Sequence, residues 1–361
     1  MVKKVVKIKE KLKGLGEDVL KDINAKKNPD IDIPIRSLSN VIYDEKTKML
    51  TLGDKASKRF LFNVAHAKKF MQTLLVAAFC KELQDQNLHT SLRDLYYALK
   101  RTLPESDENT FEEQRESDPV IVDLEVMLDM LGEQLHLNAD VRGRVVGNVV
   151  VKDRGDTIDF SKLGSGGWAI PSNVEDITIK SVKAKYILVI EKNAAFERLH
   201  EDKFWKKQNC ILVTTQGQAA RGPRRLIQRL STDYKLPVYI FTDADSYGWY
   251  IYSVIKYGSI SLAHISERLG CPNAKFIGLT ISDIDEFDLK NFTIKAREVD
   301  IKRAKEMLKY DWFKHPAWQK ELKLMVERKM KAELEALSGR GLRFMTEVYL
   351  PTKIKKKKFL P

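Results

Sequence analysis

The sequence predicts a two-domain protein in which a small α+β domain precedes an α/β domain with a parallel sheet. Between about residues 65 and 160, three amphipathic helical segments are followed by alternating, strand-like residues. From about residue 180, short apolar strands alternate with helices, which is the order typical of a parallel sheet. The 361 residues are enough for two domains that each bury a core.

The charge of the chain favours a polyanionic partner. Lys and Arg number 63 against 50 Asp and Glu, which gives a formal net charge of +13. Phosphate backbones are the commonest partners of such a basic excess, so the sequence predicts binding to nucleic acid. The alternative is a basic surface that only keeps the protein in solution.

Cysteine usage and hydropathy predict an intracellular protein. Cys80, Cys210 and Cys271 are far apart and form no Cys-x-x-Cys pair, which argues against a disulfide framework and a zinc module. No apolar run reaches the roughly 18 residues that span a bilayer, and the lysine-rich N-terminus lacks the apolar segment of a signal peptide. We therefore expect a cytoplasmic protein with no membrane contact.

The first 64 residues are predicted to be an N-terminal extension. Residues 4–23 have a basic helical pattern that Gly14 and Gly16 interrupt. This segment is too short and too polar to form a core by itself, so we expect a tail or a contact with a partner. Residues 41–52 have the pattern of a hairpin.

Residues 65–160 are predicted to form the first domain. Its segments are a helix over 65–83, a helix that begins at 90–91, an acidic linker over 104–118, a helix over 119–131 and strands over 144–160. Three helices followed by a two-stranded ribbon is the order of a winged helix-turn-helix domain. Such domains usually bind duplex DNA, although they also serve as protein docking modules.

Residues 161–361 are predicted to form the α/β domain. Its strands are expected over 186–190, 211–215, 238–242 and 275–279, with helices near 194–206, 223–232, 248–257 and 261–269. The closing region at 297–337 is helical and strongly charged, and we expect the basic run at 353–358 to be solvated, or at most a weak contact with nucleic acid. Ligands of parallel sheets bind at the carboxyl ends of the strands.

Three carboxylates fall at that edge of the predicted sheet. Glu191 ends one strand, and Asp243 and Asp245 end another, where their i, i+2 spacing places them on one side of an extended segment. Mg²⁺ prefers a few hard oxygen ligands, and a cation would relieve the repulsion among the three groups. It could stabilise charge on a phosphoryl oxygen or a leaving alkoxide. The alternative is that the Asp-x-Asp pair only caps the helix that starts near Gly248.

A second candidate group lies on the helix that begins at 90–91. The apolar stripe of this helix includes Tyr96, which is therefore predicted to face the core. Tyr97 lies off the stripe, one turn beyond Arg93 and one turn before the cations at 100–101. Those cations would attract a phosphate and favour the phenolate that acts as a nucleophile. The alternative is an ordinary surface tyrosine beside basic residues that contact DNA.

The other motifs exclude nucleotide chemistry in this chain, and the role of one basic cluster stays open. There is no Gly-Lys dipeptide and hence no P-loop, and the glycines at 164–167 lack the spacing of a dinucleotide fingerprint. Any ATP chemistry must therefore come from another chain. A basic helix start beside the carboxylate edge can be a phosphate clamp or a solvated face, and it comprises Arg221, Arg224, Arg225 and Arg229.

Together, these motifs resemble those of a known family. Glu191 at one strand end, with Asp243 and Asp245 followed by Tyr-Gly at another, resembles the metal site of Toprim domains. The helix from Arg93 to Tyr97 is similar to the nucleophile helix in the A subunit of topoisomerase VI and in the related meiotic break-forming transesterases. The likeness spans about residues 60–361 and includes GGWAIP at 166–171, ELEAL at 333–337 and YLPTKI at 349–354.

The resemblance implies the A subunit of a type IIB DNA topoisomerase, with a winged-helix domain and a Toprim domain. Tyr97 would cleave double-stranded DNA and form a 5′-phosphotyrosyl link, and Arg93 would help hold the phosphate. Mg²⁺ would bind Asp243 and Asp245, and Glu191 would be a third ligand or the general acid/base. Two A subunits would form a homodimer within an A2B2 heterotetramer. The separate B subunit of topoisomerase VI would bind ATP, in the nucleoid-associated cytoplasm of a prokaryotic-type cell.

Three alternatives share part of these features. A break-forming transesterase without strand passage would have the same site residues, and a Toprim nuclease would use water in place of Tyr97. A DNA-binding winged-helix protein without catalysis has no reason to place three acids beside its basic surface. Two departures from the family pattern remove no ligand, namely Ser246, where proline is common in Toprim sites, and the basic segment at 221–225.

Overall fold

The computed structural model describes residues 2–361, with side chains from Ile8 onward, and divides into two compact units. The first unit runs to Asn40 and resumes over Leu52–Asp140, and the second comprises Val41–Thr51 and Val141–Pro361. The two compact units thus have other bounds than the predicted domains 1–64, 65–160 and 161–361. The functional roles assigned to those domains stay predictions. Within the described part of the chain, no helix has the length and apolarity to cross a membrane.

Both helices and strands build the two units. The helices are α1 Val2–Asn24, α2 Val64–Gln86, α3 Leu92–Leu99, α4 Gln114–Leu128, α5 Asn193–Glu201, α6 Phe204–Gln208, α7 Arg221–Asp233, α8 Ser246–Tyr257, α9 Ser266–Leu269, α10 Ile281–Glu286, α11 Glu298–Met307, α12 Pro316–Arg328 and α13 Leu350–Lys355. The strands are β1 Asp30–Pro34, β2 Val41–Asp44, β3 Met49–Leu52, β4 Ala56–Phe60, β5 Thr90–Ser91, β6 Leu137–Asn138, β7 Arg144–Val146, β8 Val149–Asp153, β9 Asp156–Asp159, β10 Trp168–Ala169, β11 Thr178–Val182, β12 Ile187–Ile190, β13 Ile211–Thr214, β14 Val238–Phe241, β15 Lys275–Gly278, β16 Ile294–Lys295 and β17 Met330–Lys331.

The N-terminal helix is part of the first unit's core, so the expectation of a tail is wrong. α1 continues through both of its glycines. Ile8 and Leu12 are buried in one cluster with residues of α2, α3 and α4, and Val19 is buried in a second cluster with Phe70. Ile8, Leu12, Leu15 and Val19 recur at i, i+4, i+7 and i+11, which forms an apolar stripe that needs a partner surface.

The three predicted helices of the first unit are present, and one of them starts earlier than predicted. α4 begins at Gln114, within the segment predicted as an acidic linker, and contains Pro119. The acidic composition that suggests a linker also suits a helix start, because Glu116 lies in the first turn, where the helix dipole is positive. α2 and α3 begin within two residues of their predicted positions.

The second unit contains the predicted parallel sheet. Its strand order is β10-β7-β13-β12-β14-β15, and β13, β12, β14 and β15 run parallel. All four residues of β12 and of β13 are buried, as continuous apolar runs are when a strand is covered on both faces. β12 pairs with β13 on one side and β14 on the other, so the strand that precedes Glu191 is central.

The strands predicted as the wing of the first domain lie in the second unit, which corrects that prediction. β7 pairs with β13 in the six-stranded sheet, whereas β8 and β9 form a three-stranded sheet with β11. Val145 and Val149 are fully buried there. The predicted hairpin at 41–52 also forms, as β2 and β3, and all of it except Leu52 belongs to the second unit. Alternation specifies a half-buried strand but not the strand it pairs with.

The basic run at 353–358 is partly buried, so the expectation that it is solvated holds for only part of it. Lys353 is buried, and its ammonium lies 2.8 and 3.1 Å from the carboxylate oxygens of buried Asp283. The hydroxyl of buried Tyr349 donates to the same carboxylate at 2.7 Å. This part of the run therefore anchors the end of the chain, while Lys356 is exposed.

Lys353→Met is expected to destabilise the protein by about 3 kcal/mol or more, because it leaves the Asp283 carboxylate buried without a cation. Guanidinium unfolding followed by tryptophan fluorescence measures the change in the free energy of unfolding. Lys356→Met is the matched control and should change it by less than about 0.5 kcal/mol. Equal losses in the two variants would contradict an anchoring role for Lys353.

Candidate active site

The three predicted carboxylates lie at one edge of the parallel sheet. β12 and β14 are neighbours, with Ile190 opposite Phe241 in the ladder. Glu191 follows β12, and Asp243 and Asp245 follow β14, so all three come directly after the carboxyl ends of adjacent strands. The backbone N–H of Glu191 donates to the Phe241 carbonyl at 3.1 Å, which extends the ladder to the first carboxylate.

Asp245 is the N-cap of α8, so the capping role considered for the pair applies to it. Its Oδ1 accepts from the backbone N–H of Tyr247 at 3.0 Å and of Gly248 at 2.8 Å. A Cβ at Gly248 would lie 2.6 Å from the Asp243 carbonyl oxygen, so the tight turn requires glycine there. The second oxygen, Oδ2, lies 3.3 Å from the ammonium of buried Lys331.

Asp243 is held by the backbone and by one lysine. Its Oδ1 accepts from the N–H of Leu334 at 2.7 Å, and its Oδ2 lies 3.4 Å from the Lys192 ammonium. Burial raises the pKa of Asp243 to about 6 against the opposing effect of Lys192, with a further small rise from Asp245. The charged form of Asp243 is therefore costly without more positive charge.

Glu191 is the least compensated of the three carboxylates. Burial raises its pKa to about 7, and the charges of Asp243 and Asp245 add to the rise. Its Oε2 is buried and has no hydrogen-bond partner. A buried oxygen with no donor that faces repulsion from two other carboxylates fits a site for a cation.

Sequence reasoning missed the side chains that complete this edge. Lys192 pairs with Glu333 at 3.0 Å and with Glu335 at 2.6 Å, in addition to Asp243. The position of Lys192 directly after the strand-end glutamate was an available signal, and so was the Glu-x-Glu spacing in the segment at 333–337.

Lys331 is the second missed lysine. Its ammonium lies between Asp245, at 3.3 Å, and Asp300, at 3.2 Å. Asp300 is fully buried at the start of α11, where it accepts from the Arg297 N–H at 3.0 Å. No local sequence pattern joins these residues, because Lys331 lies on β17, 86 positions after Asp245.

The carboxylate oxygens of this edge suit a divalent cation, although they do not form a complete coordination site. Carboxylate oxygens are the ligands that Mg²⁺ prefers, and the raised pKa values of Glu191 and Asp243 reflect a local shortage of positive charge. Over the residues whose side chains are described, no three His, Cys, Asp or Glu side chains form a ready metal-binding cluster. The two oxygens of Asp245 are engaged by the helix cap and by Lys331.

The predicted nucleophile helix lies in the first unit. Ser91 caps α3, because its hydroxyl accepts from the Asp94 N–H at 3.0 Å. Tyr96 is buried and its hydroxyl donates to the Glu112 carbonyl at 2.8 Å, whereas Tyr97 is 60% exposed. Arg93, one turn before Tyr97, is also exposed. Helical periodicity thus predicts the burial of Tyr96 and the exposure of Tyr97 that the structure has.

The basic start of α7 is neither a solvated face nor an open clamp. Arg224 is 1% exposed, and burial lowers its pKa to about 10. Arg225 binds the carboxylate of Glu175 at 2.7 and 3.1 Å, and Arg229 donates to the Val174 carbonyl. Three of the four arginines therefore serve the packing of the second unit.

The edge just described belongs to a Toprim domain. A family model for the Toprim domain of the topoisomerase 6 A subunit and Spo11 matches residues 186–354, which include β12, β14 and all three carboxylates. The model "Type IIB DNA topoisomerase" matches residues 68–137, and "All-beta domain in DNA topoisomerase VI alpha subunit" matches residues 142–183, where a wing was predicted. Membership of a Toprim family is consistent with the use of a divalent metal.

Relatives narrow the class further. The chain is 48% identical to the A subunit of type 2 DNA topoisomerase 6 from Pyrococcus abyssi, over 98% of this chain and 96% of that one. It is 46% identical to the protein of the same name from Hyperthermus butylicus, over 96% and 93% of the two chains. The corresponding protein of Methanothermobacter thermautotrophicus is 37% identical, over 95% and 96%. The chain belongs to the family of topoisomerase 6 A subunits, as predicted.

In the metal-free protein, Glu191 is expected to lower stability as pH rises from about 4.5 to about 7. The raised pKa means that the folded carboxyl keeps its proton up to about pH 7, whereas the unfolded one loses it near 4.5. The folded state therefore binds more protons in this window, and its free energy of unfolding falls with rising pH, by up to about 3 kcal/mol.

Urea unfolding in EDTA at pH 5 and pH 8 measures this difference. Glu191→Gln should remove most of it, because the amide does not titrate, and Mg²⁺ should restore stability to the wild type at pH 8. An unchanged pH dependence in Glu191→Gln would show that other groups cause it.

Proposed function

We propose that this chain cleaves and religates double-stranded DNA by transesterification, as the A subunit of a type IIB topoisomerase. The proposal rests on the contrast between two adjacent tyrosines of α3. The Tyr96 side chain is buried and its hydroxyl donates to the Glu112 backbone carbonyl, whereas Tyr97 presents its ring at the surface, one helical turn from the cationic Arg93. Of the two tyrosines, Tyr97 is therefore the one that is exposed to a phosphate in solution, while the hydroxyl of Tyr96 is already hydrogen-bonded within the protein.

The proposed reaction exchanges one phosphodiester for another. The Tyr97 oxygen attacks a backbone phosphorus, the bond from phosphorus to the 3′ oxygen breaks, and a 5′-phosphotyrosyl link forms while the 3′ oxygen takes up a proton. Arg93 holds the phosphate and favours the phenolate through its charge. Because the ester bond is conserved, attack by the 3′ hydroxyl on the phosphotyrosyl link reseals the strand without an added energy source.

The carboxylate edge would act on the 3′ oxygen that leaves in this reaction. Glu191, Asp243 and Asp245 would hold Mg²⁺, whose charge would stabilise the oxygen that leaves. Lys192 and Lys331 hold the two aspartates in place. Glu191 is a third ligand or, with a pKa of about 7, a proton donor to the leaving oxygen near neutral pH.

The proposed activity also needs other subunits. The relatives are named as A subunits, which supports a separate B subunit; we propose that it binds ATP and couples strand passage to cleavage in an A2B2 heterotetramer. The N-terminal extension at 1–64 is proposed to contact a partner, and the exposed Leu20 and Ile23 on α1 support this. The Tyr97 unit and the carboxylate unit would act together within the homodimer, in the nucleoid-associated cytoplasm.

Tyr97→Phe is expected to abolish covalent attachment of the protein to DNA, because it removes the attacking oxygen. The assay incubates the full chain and an ATP-binding B subunit with plasmid and Mg²⁺, stops the reaction with detergent, and identifies protein linked to 5′ ends. Tyr96→Phe is the matched control: it loses two hydrogen bonds, to the Glu112 carbonyl and from the Lys100 ammonium, worth about 1 to 2 kcal/mol of stability together, and should retain the covalent product. EDTA should prevent the product in the wild type and in the control.

Three results would overturn the proposal in different ways. Free 5′ phosphates without attached protein, at equal yield in Tyr97→Phe, would identify a nuclease in which water attacks. Binding of DNA with no strand breakage in the wild type would identify a non-catalytic DNA-binding protein. Cleavage without any relaxation of supercoils in the presence of ATP would identify a break-forming transesterase.

A further inference from the structure

We propose that a groove along α11 binds the phosphate backbone of duplex DNA, apart from the carboxylate edge. The groove lies wholly in the second unit and has a volume of about 990 Å³. Six cations line it, namely Lys295, Arg297, Lys302, Lys305, Lys309 and Lys329. This inference rests on the proposed function, because it concerns how the duplex is held during cleavage.

The lysines of the groove carry charge that the protein does not neutralise. All five are exposed, and none of them forms an ion pair or a side-chain hydrogen bond with a described residue. Only two acids line the groove, Glu298 and Glu306. By contrast, Lys192 and Lys331 each bind at least two carboxylates. The groove therefore keeps an excess of positive charge that attracts an external polyanion.

The helix that lines the groove is also tied to the carboxylate edge. On α11, Asp300, Ala304 and Met307 share the buried face, and Asp300 pairs with Lys331, which in turn pairs with Asp245. Lys302 and Lys305 project from the opposite face, since the helical period separates the two sets by about half a turn. One helix thus fixes both the position of the carboxylate edge and the position of the lysines.

The chemistry of the groove fits a DNA backbone better than a small anion or a base edge. Lysines are point charges on flexible stems, which suits contact with phosphates independent of sequence. The one guanidinium, of Arg297, contacts Asp300 through its Nε at 3.3 Å, so its charge is already partly balanced within the protein. The ten residues of α11 extend about 15 Å, which covers about four phosphates of one strand.

The test compares two triple variants of the full chain. Lys302→Gln, Lys305→Gln and Lys309→Gln are combined in one, and Lys152→Gln, Lys180→Gln and Lys207→Gln in the control, which removes three exposed lysines elsewhere in the second unit. Fluorescence anisotropy measures binding of a duplex of about 30 base pairs over a series of KCl concentrations. In the groove variant we expect at least about a tenfold weaker affinity at about 0.1 M KCl, and a salt slope reduced by about 2 to 3.

The control and a covalent-complex assay make the outcomes distinguishable. The control variant should lose less than about threefold in affinity, and at saturating DNA the groove variant should still form the Tyr97-dependent covalent complex. Equal weakening in the two variants, or none in the groove variant, would overturn the groove as a DNA site. Loss of binding to an acidic partner protein with unchanged DNA affinity would overturn it in favour of a protein contact. Absence of the covalent complex in the wild type refutes the proposed function, while the binding comparison still tests the groove.

Discussion

The compensation of buried carboxylates at the ends of two neighbouring strands is the constraint on which this structure depends most. Glu191, Asp243 and Asp245 follow strands that are largely buried, so water can supply little of the screening they need. The protein places Lys192 and Lys331 against the two aspartates and leaves an oxygen of Glu191 without a donor. Because the protein balances only part of this negative charge, the three carboxylates favour the binding of a cation.

Much of this arrangement could be predicted from the sequence because it is local or periodic. The apolar runs that form β12 and β14 indicate buried strands, and the carboxyl ends of parallel strands meet at one edge, so the grouping of Glu191 with Asp243 follows from topology. The opposite environments of Tyr96 and Tyr97 follow from a helical period of 3.6 residues, and the burial found for each agrees.

The parts that could not be predicted depend on pairings between distant segments. Alternation at 144–160 predicts strands, but it does not predict which sheet they join, because that depends on pairing with strands far away in the sequence. Lys331 reaches Asp245 across 86 positions, and Lys353 reaches Asp283 across 70. A lysine that will be buried looks like any other in a basic chain, so its partner becomes visible only in three dimensions.

The central position of β12 has a consequence for how the molecule opens. A strand paired on both sides is released only when the sheet itself comes apart, so its amides belong to the most slowly exchanging part of a protein. Helix α3, with eight residues and an exposed tyrosine, is a smaller structural element. Thermal fluctuations that fray the surroundings of Tyr97 can therefore leave the three carboxylates in place. In the reaction that we propose, the attacking tyrosine would then adapt to the DNA while the carboxylates stay fixed.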